Sequence, residues 1–590
     1  MNITKHYLTF ILVLLSLNYS YGQKIKEQKK QNVVLILIDD LSHLGVTSYG
    51  ANRLSSSRGL FENVEFETPV IDKLATEGIL FNNAHAYPLC ENSRIALMSG
   101  KYNSRNYLRP KSQHKSDITI GDIFKKAGYA TGIYGKWKQT RGTKEIPGAK
   151  YIYEFGWDEF TCFDVTTEGQ RFINPHLVVD GKTVNYTGRT DLDPETGRRW
   201  YGPDICNRDA LKFIDKNKDK PFLLYYPMLL VHDDHKPTPD TKPNSLFDNF
   251  DEANHNRNGH SGDDQKYLPD MIAYTDKLIG NVIKKLEEHN LTENTIIVVM
   301  GDNGTKEAFA HIWPNGEVYP ARKGGTSDNG THVPLIISNP NKINNETKKP
   351  LKYNGLVDIV DILPTLTAAT DISIQRENEL DGVSFWNNLI EGKQKHRDYI
   401  YTWYNNNQVY TNKKELLRYI HNEKFKFYAP NKDFPEGRFF DLRTDPLELK
   451  GDYYNKGRFG LRFYKGINLD ELTPEQKKGY MHLKNEIKKY DFKGVCKLRI
   501  QNKTKSFSVG ESHQLTHKIY PKNATRTNIL WHSDNSEIAT IDKFGVLKAH
   551  KKGKVTISIY SWDDAYPLSA NEKTTFNKGG ISDSFELTIN

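Results

Sequence analysis

Apolar positions along this chain fall into two rhythms. Up to about residue 395, short unbroken apolar runs (Val33 to Ile38, Ala130 to Tyr134, Phe222 to Tyr226, Ile296 to Met300, Leu335 to Ser338) alternate with stretches in which apolar residues recur every three or four positions. Runs with no polar alternation predict strands buried on both faces. The intervening stretches Thr68 to Glu77, Ile120 to Ala127 and Tyr267 to His289 predict helices. In the last of these Ile272, Leu278, Ile279, Val282, Ile283 and Leu286 make one broad stripe. Strands alternating with helices predict an α/β domain, a mostly parallel sheet sandwiched by helices.

From Tyr399 the pattern shortens. Tyr399 to Trp403, Leu417 to His421 and Lys424 to Tyr428 predict a small antiparallel sheet, with a helix from Pro474 to Lys489 packed over it. Beyond Phe492-Lys493-Gly494, polar and apolar residues alternate between Gly, Asn and Asp turns, as in Ile538 to Ala549 and Lys554 to Ile559, which is the rhythm of an all-β sandwich. The predicted divisions are an α/β domain at 23–395, its C-terminal antiparallel subdomain at 396–494 and a β-sandwich domain at 495–590. Ahead of them, Lys5, the apolar run Leu8 to Leu17 and the small residues Ser20 and Gly22 predict an export signal at 1–22, cut before Gln23. That run is too short to span a bilayer and no later segment is long enough, so the expectation is a periplasmic or secreted protein with no stable membrane span.

Composition narrows the classes. Hydrophobic residues at 37% and charged ones at 26% belong to a soluble globular chain. The net charge of +9 is spread without a concentrated basic block, which argues against a nucleic-acid partner. The four cysteines, Cys90, Cys162, Cys206 and Cys496, include no CxxC pair, which excludes a disulfide-built scaffold and a zinc knuckle.

The candidate chemistry sits at strand ends. Asp39 and Asp40 follow the first apolar run, and Gly301-Asp302-Asn303-Gly304 follows the run ending at Met300. Open α/β sheets place ligand sites at the carboxyl ends of strands, and adjacent carboxylates repel unless a cation offsets them. Taken singly, either pair is better explained by a helix or turn cap; the two pairs together with the segment between them are what point to a site. Between them lies Pro88-Leu89-Cys90-Glu91-Asn92-Ser93-Arg94-Ile95-Ala96-Leu97-Met98-Ser99-Gly100, a cysteine and an arginine at the start of a helix predicted to begin near Asn92.

That segment resembles the CxPxR signature of the type I, formylglycine-dependent sulfatases of the alkaline phosphatase superfamily, with Asn92 where the family has Pro or Ala. The resemblance implies that a maturation enzyme oxidises Cys90 to formylglycine, whose hydrate attacks sulfur and later expels sulfate. It implies that Arg94 holds the modified side chain. It makes Asp39, Asp40, Asp302 and Asn303 metal ligands, completed by the modified Cys90, and such a hard oxygen set suits calcium before magnesium. Tyr134-Gly135-Lys136-Trp137-Lys138 resembles the family's GKWH, so Lys136 is an expected sulfate-binding lysine. Lys138 replaces a His, serving either as a base with a depressed pKa or as a further sulfate-binding cation. His232, with His235 as fallback, is the expected general acid. Arg322 to Pro334 resembles the block KGGxxEGGxRVP, making Lys323 the second sulfate lysine, while Asn329 and His332 depart from the pattern. Phe439 to Glu448 resembles the turn that closes sulfatase domains. The last domain, with Trp531-His532-Ser533-Asp534-Asn535 and Ile538-Ala539-Thr540-Ile541-Asp542, resembles bacterial Ig-like group 2 domains, an adhesive or spacing role.

The expected function is an exported sulfatase, a sulfuric ester hydrolase acting on a sulfated polysaccharide or oligosaccharide through a covalent sulfoenzyme. Two alternatives stand beside it. One is a phosphomonoester or phosphonate hydrolase of the same superfamily; the other is a non-catalytic homologue that binds sulfated glycans, suggested by Asn92 and Lys138.

Overall fold

A computed structural model describes residues 29–56, 59, 61–107, 112–139, 148–166, 169–251, 264–343, 349–374, 379–405, 416–456, 462–562, 565–566, 575–576 and 581–590. The expected export signal lies outside these residues. In chain order the elements that matter for the site are β1 (Asn32–Ile38), α1 (Pro69–Glu77), β2 (Ile79–Phe81), α2 (Cys90–Ser99), α3 (Asn103–Asn106), α4 (Ile120–Lys126), β3 (Ala130–Lys136), β4 (Glu159–Phe163), β5 (His176–Val179), β6 (Lys182–Asn185), α5 (Gly202–Asn217), β7 (Phe222–Pro227), α6 (Leu268–Glu288), β8 (Thr295–Gly301), β9 (Leu335–Ser338) and β10 (Leu351–Tyr353).

The ten strands form one sheet in the order β10-β2-β9-β8-β1-β7-β3-β4-β5-β6. Its centre, β8-β1-β7-β3-β4, is parallel. The continuous apolar run of β1 is explained by what covers it: Val33, Leu35 and Leu37 enter the core on one face, Val34, Ile36 and Ile38 the core on the other. Helix α6 turns its stripe of Ile272, Leu278, Ile279, Val282 and Leu286 into the second core, so its period of 3.6 has a structural counterpart. Leu335 to Ser338, one of the runs behind the parallel expectation, departs from it. As β9 it runs antiparallel to β8, because the chain returns from β8 through loops and short strands with no long crossover helix to reverse it.

The C-terminal subdomain is a four-stranded antiparallel sheet of β11 (Ile400–Asn405), β12 (Leu416–His421), β13 (Phe425–Tyr428) and β14 (Arg438–Asp441). Over it lies α7 (Pro474–Glu486), started by a Thr473 and Gln476 capping box and tightened to a 3-10 turn at Ile487–Tyr490. The last domain has its own core around Leu498, Leu515, Trp531, Ile557 and Leu587. Its described strands form a four-stranded sheet, a three-stranded sheet and two pairs. Strand Gly553–Ser561 shows the predicted alternation, with Val555, Ile557 and Ile559 buried and their neighbours half-exposed.

Candidate active site

The central parallel strands deliver polar residues to one place. Register pairs Ile38 with Gly301 and Leu37 with Pro227, so the residues after β1, β7 and β8 emerge at one level. Asp39 N donates to Leu230 O at 3.0 Å and Val231 N to Asp39 O at 2.8 Å, which ties the segment bearing His232 to the end of β1. Asp40 has a positive φ of 62°. That conformation is uncommon for a residue with a Cβ, and here Asp40 N donates to Asp302 Oδ1 at 3.0 Å.

Asp39, Asp40 and Asp302 each offer an oxygen such that all three lie within 4.8 Å of one another, and Cys90 Sγ, an Asp39 oxygen and a His232 nitrogen do the same. Three cations, Lys136 and Arg94 fully buried and Lys323 partly so, balance the three acids. Lys136 Nζ donates to both oxygens of Asp39 at 2.8 and 2.6 Å. Arg94 donates from Nε and Nη2 to Asp302 Oδ2 at 3.1 and 2.8 Å, and from Nη1 to Lys136 O at 3.0 Å. Lys323 Nζ pairs with Asp40 and lies 3.2 Å from His232 Nε2. Charges this deep persist only when paired.

The balance is incomplete. Burial alone would raise Asp39, but Lys136, His232 and Arg94 hold it well below the usual carboxylate range. Asp302 goes the other way: burial, with Asp39 adding to it, pushes it up to about 7 against the pull of Arg94. Asn303 Nδ2 donates to Asp40 Oδ1 at 2.9 Å, while Asn303 Oδ1 is buried with no hydrogen-bond partner. Three carboxylates, a carboxamide oxygen lacking a donor and an acid destabilised as an anion are what a hard divalent cation corrects. The donor set therefore fits the metal the sequence implies.

Around Cys90 the encoded thiol is kept protonated, pushed up to about 11 by burial and Glu91. Glu91, to which the sequence reading assigned no role, accepts from Cys90 Sγ at 3.2 Å. Burial opposes the charge of Lys138, but Glu91, Cys90 and Asp164 outweigh burial and raise its pKa, the opposite direction from the depressed value that a base there would need. His232 Nδ1 lies 2.6 Å from Asp233 Oδ1, and burial pushes its pKa down to about 4. His235 packs edge-on against Phe309, with ring centroids 5.0 Å apart. Arg171 was missed as well. It stacks on Phe163, donates to Asp233 O at 3.1 Å and approaches Asp39 to 3.9 Å, from a loop carrying no motif. Asn92 is buried, its Nδ2 donating to Asn103 Oδ1 at 3.1 Å and its carbonyl accepting from Asn103 Nδ2 at 3.2 Å; helix α2 begins at Cys90 itself, two residues before the expected start.

The loops bearing Asp302 and Lys323 touch through glycines. Gly304 N donates to Gly330 O at 3.0 Å, and a Cβ would meet Asn329 O at 2.3 Å from Gly304 or Gly325 O at 2.0 Å from Gly330. Beyond them His332 stacks on His43 with centroids 3.7 Å apart and lies 5.0 Å from His85, which meets His421 of β12 edge-on at 4.8 Å.

With this geometry in place, comparison with known proteins is direct. A model of the sulfatase family matches residues 31–372, more than half of the chain. The chain belongs to the sulfatase family. This sulfatase also matches the C-terminal region of N-sulphoglucosamine sulphohydrolase over 323–464 and the bacterial Ig-like domain (group 2) over 495–565. It is 26% identical over 419 residues to an arylsulfatase of Hemicentrotus pulcherrimus, covering 66% of this chain and 67% of that one. It is 27% identical over 445 residues to an N-acetylgalactosamine-6-O-sulfatase of Bacteroides thetaiotaomicron, covering 64% and 79%. Among solved structures, Ps i-CgsB in complex with k-i-k-neocarrahexaose aligns with a TM-score of 0.56 at 22% identity, covering 78% of this chain and 93% of that one. Such a likeness bears on the fold, which is a sulfatase fold, and membership makes the protein a hydrolase of sulfate esters.

Proposed function

We propose that this sulfatase is exported and removes sulfate from a sulfated polysaccharide or oligosaccharide, with Cys90 matured to formylglycine and a calcium ion in the acidic cluster. The observation that carries the proposal is the meeting of Cys90, Asp39 and His232 ligand atoms within 4.8 Å of one another, beside the Asp39, Asp40 and Asp302 cluster. Relatives named for sulfated carbohydrates, an N-acetylgalactosamine-6-O-sulfatase and an ulvan-active sulfatase, support the substrate class.

Asp39, Asp40, Asp302 and Asn303, with the side chain at position 90, would hold the cation, which when bound supplies charge that polarises a sulfate oxygen. Formylglycine would supply the paired hydroxyls that a cysteine or serine lacks. The remaining work falls to side chains already in place. Arg94, fixed on Asp302 and the Lys136 carbonyl, anchors the start of α2. Lys136 and Lys323, now paired with carboxylates, neutralise the incoming sulfate, and Lys138 adds a third cation on the Glu91 side. His232, with Asp233 on one nitrogen and Lys323 on the other, directs a proton to the departing sugar hydroxyl.

Peptide mass spectrometry of the 88–100 segment, combined with sulfate release from carrageenan, ulvan, fucoidan and glycosaminoglycan oligosaccharides and a parallel phosphate-ester assay, tests the proposal. The expected result is formylglycine at 90 and release from at least one class. A matured residue 90 with phosphate-ester turnover alone would overturn it.

A further inference from the structure

The Ig-like module is joined to the catalytic domain by a specific, buried interface. Trp562, fully buried, donates from Nε1 to Ser116 Oγ at 2.9 Å. Asn528, 4% exposed, accepts from Lys101 Nζ at 2.7 Å and donates to Asp117 Oδ1 at 3.1 Å. Lys543 reaches three acceptors, Asp117 O at 3.0 Å, Asp122 Oδ2 at 2.7 Å and Glu154 O at 2.7 Å. Arg105 donates to Thr525 O at 2.9 Å and Thr527 Oγ1 at 3.2 Å.

Nearly all these partners lie in 101–122, the segment that follows the helix carrying Cys90. Two bridges lead back to that helix. Arg105 sits in α3 beside Asn103, whose side chain exchanges two hydrogen bonds with Asn92, two residues from Cys90. Arg105 also pairs with Asp381 at 2.6 Å, and Asp381 N donates to Gly100 O, the C-cap of α2, at 3.0 Å. Both ends of the nucleophile helix are thus tied to groups that the Ig-like module holds.

We infer that the Ig-like module is a positioning clamp for α2, where the sequence suggested adhesion or spacing. A free spacer needs no buried tryptophan and no lysine with three oxygen acceptors. Asn92 fits the same scheme, since a proline there would have no side-chain amide for Asn103. Fixing Cys90 in this way would lower the rearrangement needed at each turnover.

The test uses the full chain with Lys543→Ala and, independently, Trp562→Phe. Hydrogen–deuterium exchange is read in peptides covering 90–106, 112–122 and α6, together with kcat and KM on a small aryl sulfate too short to reach the module. If the clamp operates, opening the interface at 112–122 speeds exchange in 90–106 at least five-fold and leaves α6 unchanged. kcat then falls three- to ten-fold with KM within two-fold, and Lys543→Arg restores both. Faster exchange at 112–122 with none at 90–106 would overturn the inference, as would unchanged exchange throughout in the Lys543→Ala, Trp562→Phe double variant. The exchange readout is independent of which ester the enzyme cleaves.

Discussion

Two buried polar groupings flank the same loops, and they solve opposite problems. At the strand ends, Asp39, Asp40 and Asp302 are ionisable groups packed with Lys136, Arg94 and Lys323, a cluster that keeps its charges and calls for one more. Beyond Gly330, His43, His332 and His85 stack in a row that His421 meets edge-on, and burial drives the pKa of His43 and His85 well below normal and that of His421 down to about 3. Compensation by partners costs side chains but leaves electrostatics available for chemistry; suppression by burial, as at His43, His85 and His421, favours uncharged rings where the sheet meets the C-terminal subdomain.

The contrast can be broken most severely at Cys90. Cys90→Ala should reduce sulfate release by about 10⁴-fold or more, the scale of losing a nucleophile, with thermal stability near wild type; steady-state kinetics beside a melting curve checks both. Lys323→Ala removes one compensating charge and should cost about 2 to 4 kcal/mol of transition-state stabilisation, roughly a 30- to 10³-fold fall in kcat, and an unchanged rate would take Lys323 out of the site. Stripping divalent cations with a chelator should lower the melting temperature, by an amount matching about 2.7 kcal/mol if calcium had been present at a hundredfold its Kd, and calcium should restore it more fully than magnesium.

The smallest effect sharpens the other side. The folded-state pKa values of His85 and His421 lie below the unfolded value near 6.5, so the unfolded chain binds their protons more readily. Their contribution to stability is intact above pH 6.5 and drains away as pH falls through 6.5 toward about 3 for His421. His421→Gln should flatten the dependence of the melting temperature on pH between 7 and 5, removing up to about 1.4 kcal/mol per pH unit; an unaltered slope would show that His421 is not suppressed.

How much of this could be foreseen follows from how local each signal is. The buried strands were legible because six consecutive apolar residues such as Val33 to Ile38 have few other uses, and the acidic pairs stood out because each sits directly at a strand end. The antiparallel turn of β9 depended on what is missing between two strands. Arg171 and Glu91 carry no pattern of their own: one comes from an irregular loop, the other directly follows Cys90 at a position the signature leaves open. The histidine row joins positions 43, 85, 332 and 421, which no window on the sequence brings together. The raised pKa of Lys138 could not be read from the sequence either, because Glu91 and Asp164 approach it only in three dimensions.

The glycine contact between the Asp302 and Lys323 loops sets a boundary on how this enzyme can diversify. With backbone against backbone at Gly304 and Gly330, there is no room for even a methyl group, so one lysine and one aspartate travel as a fixed unit. New substrates must be accommodated by remodelling the rim, while the spacing between these two loops stays frozen.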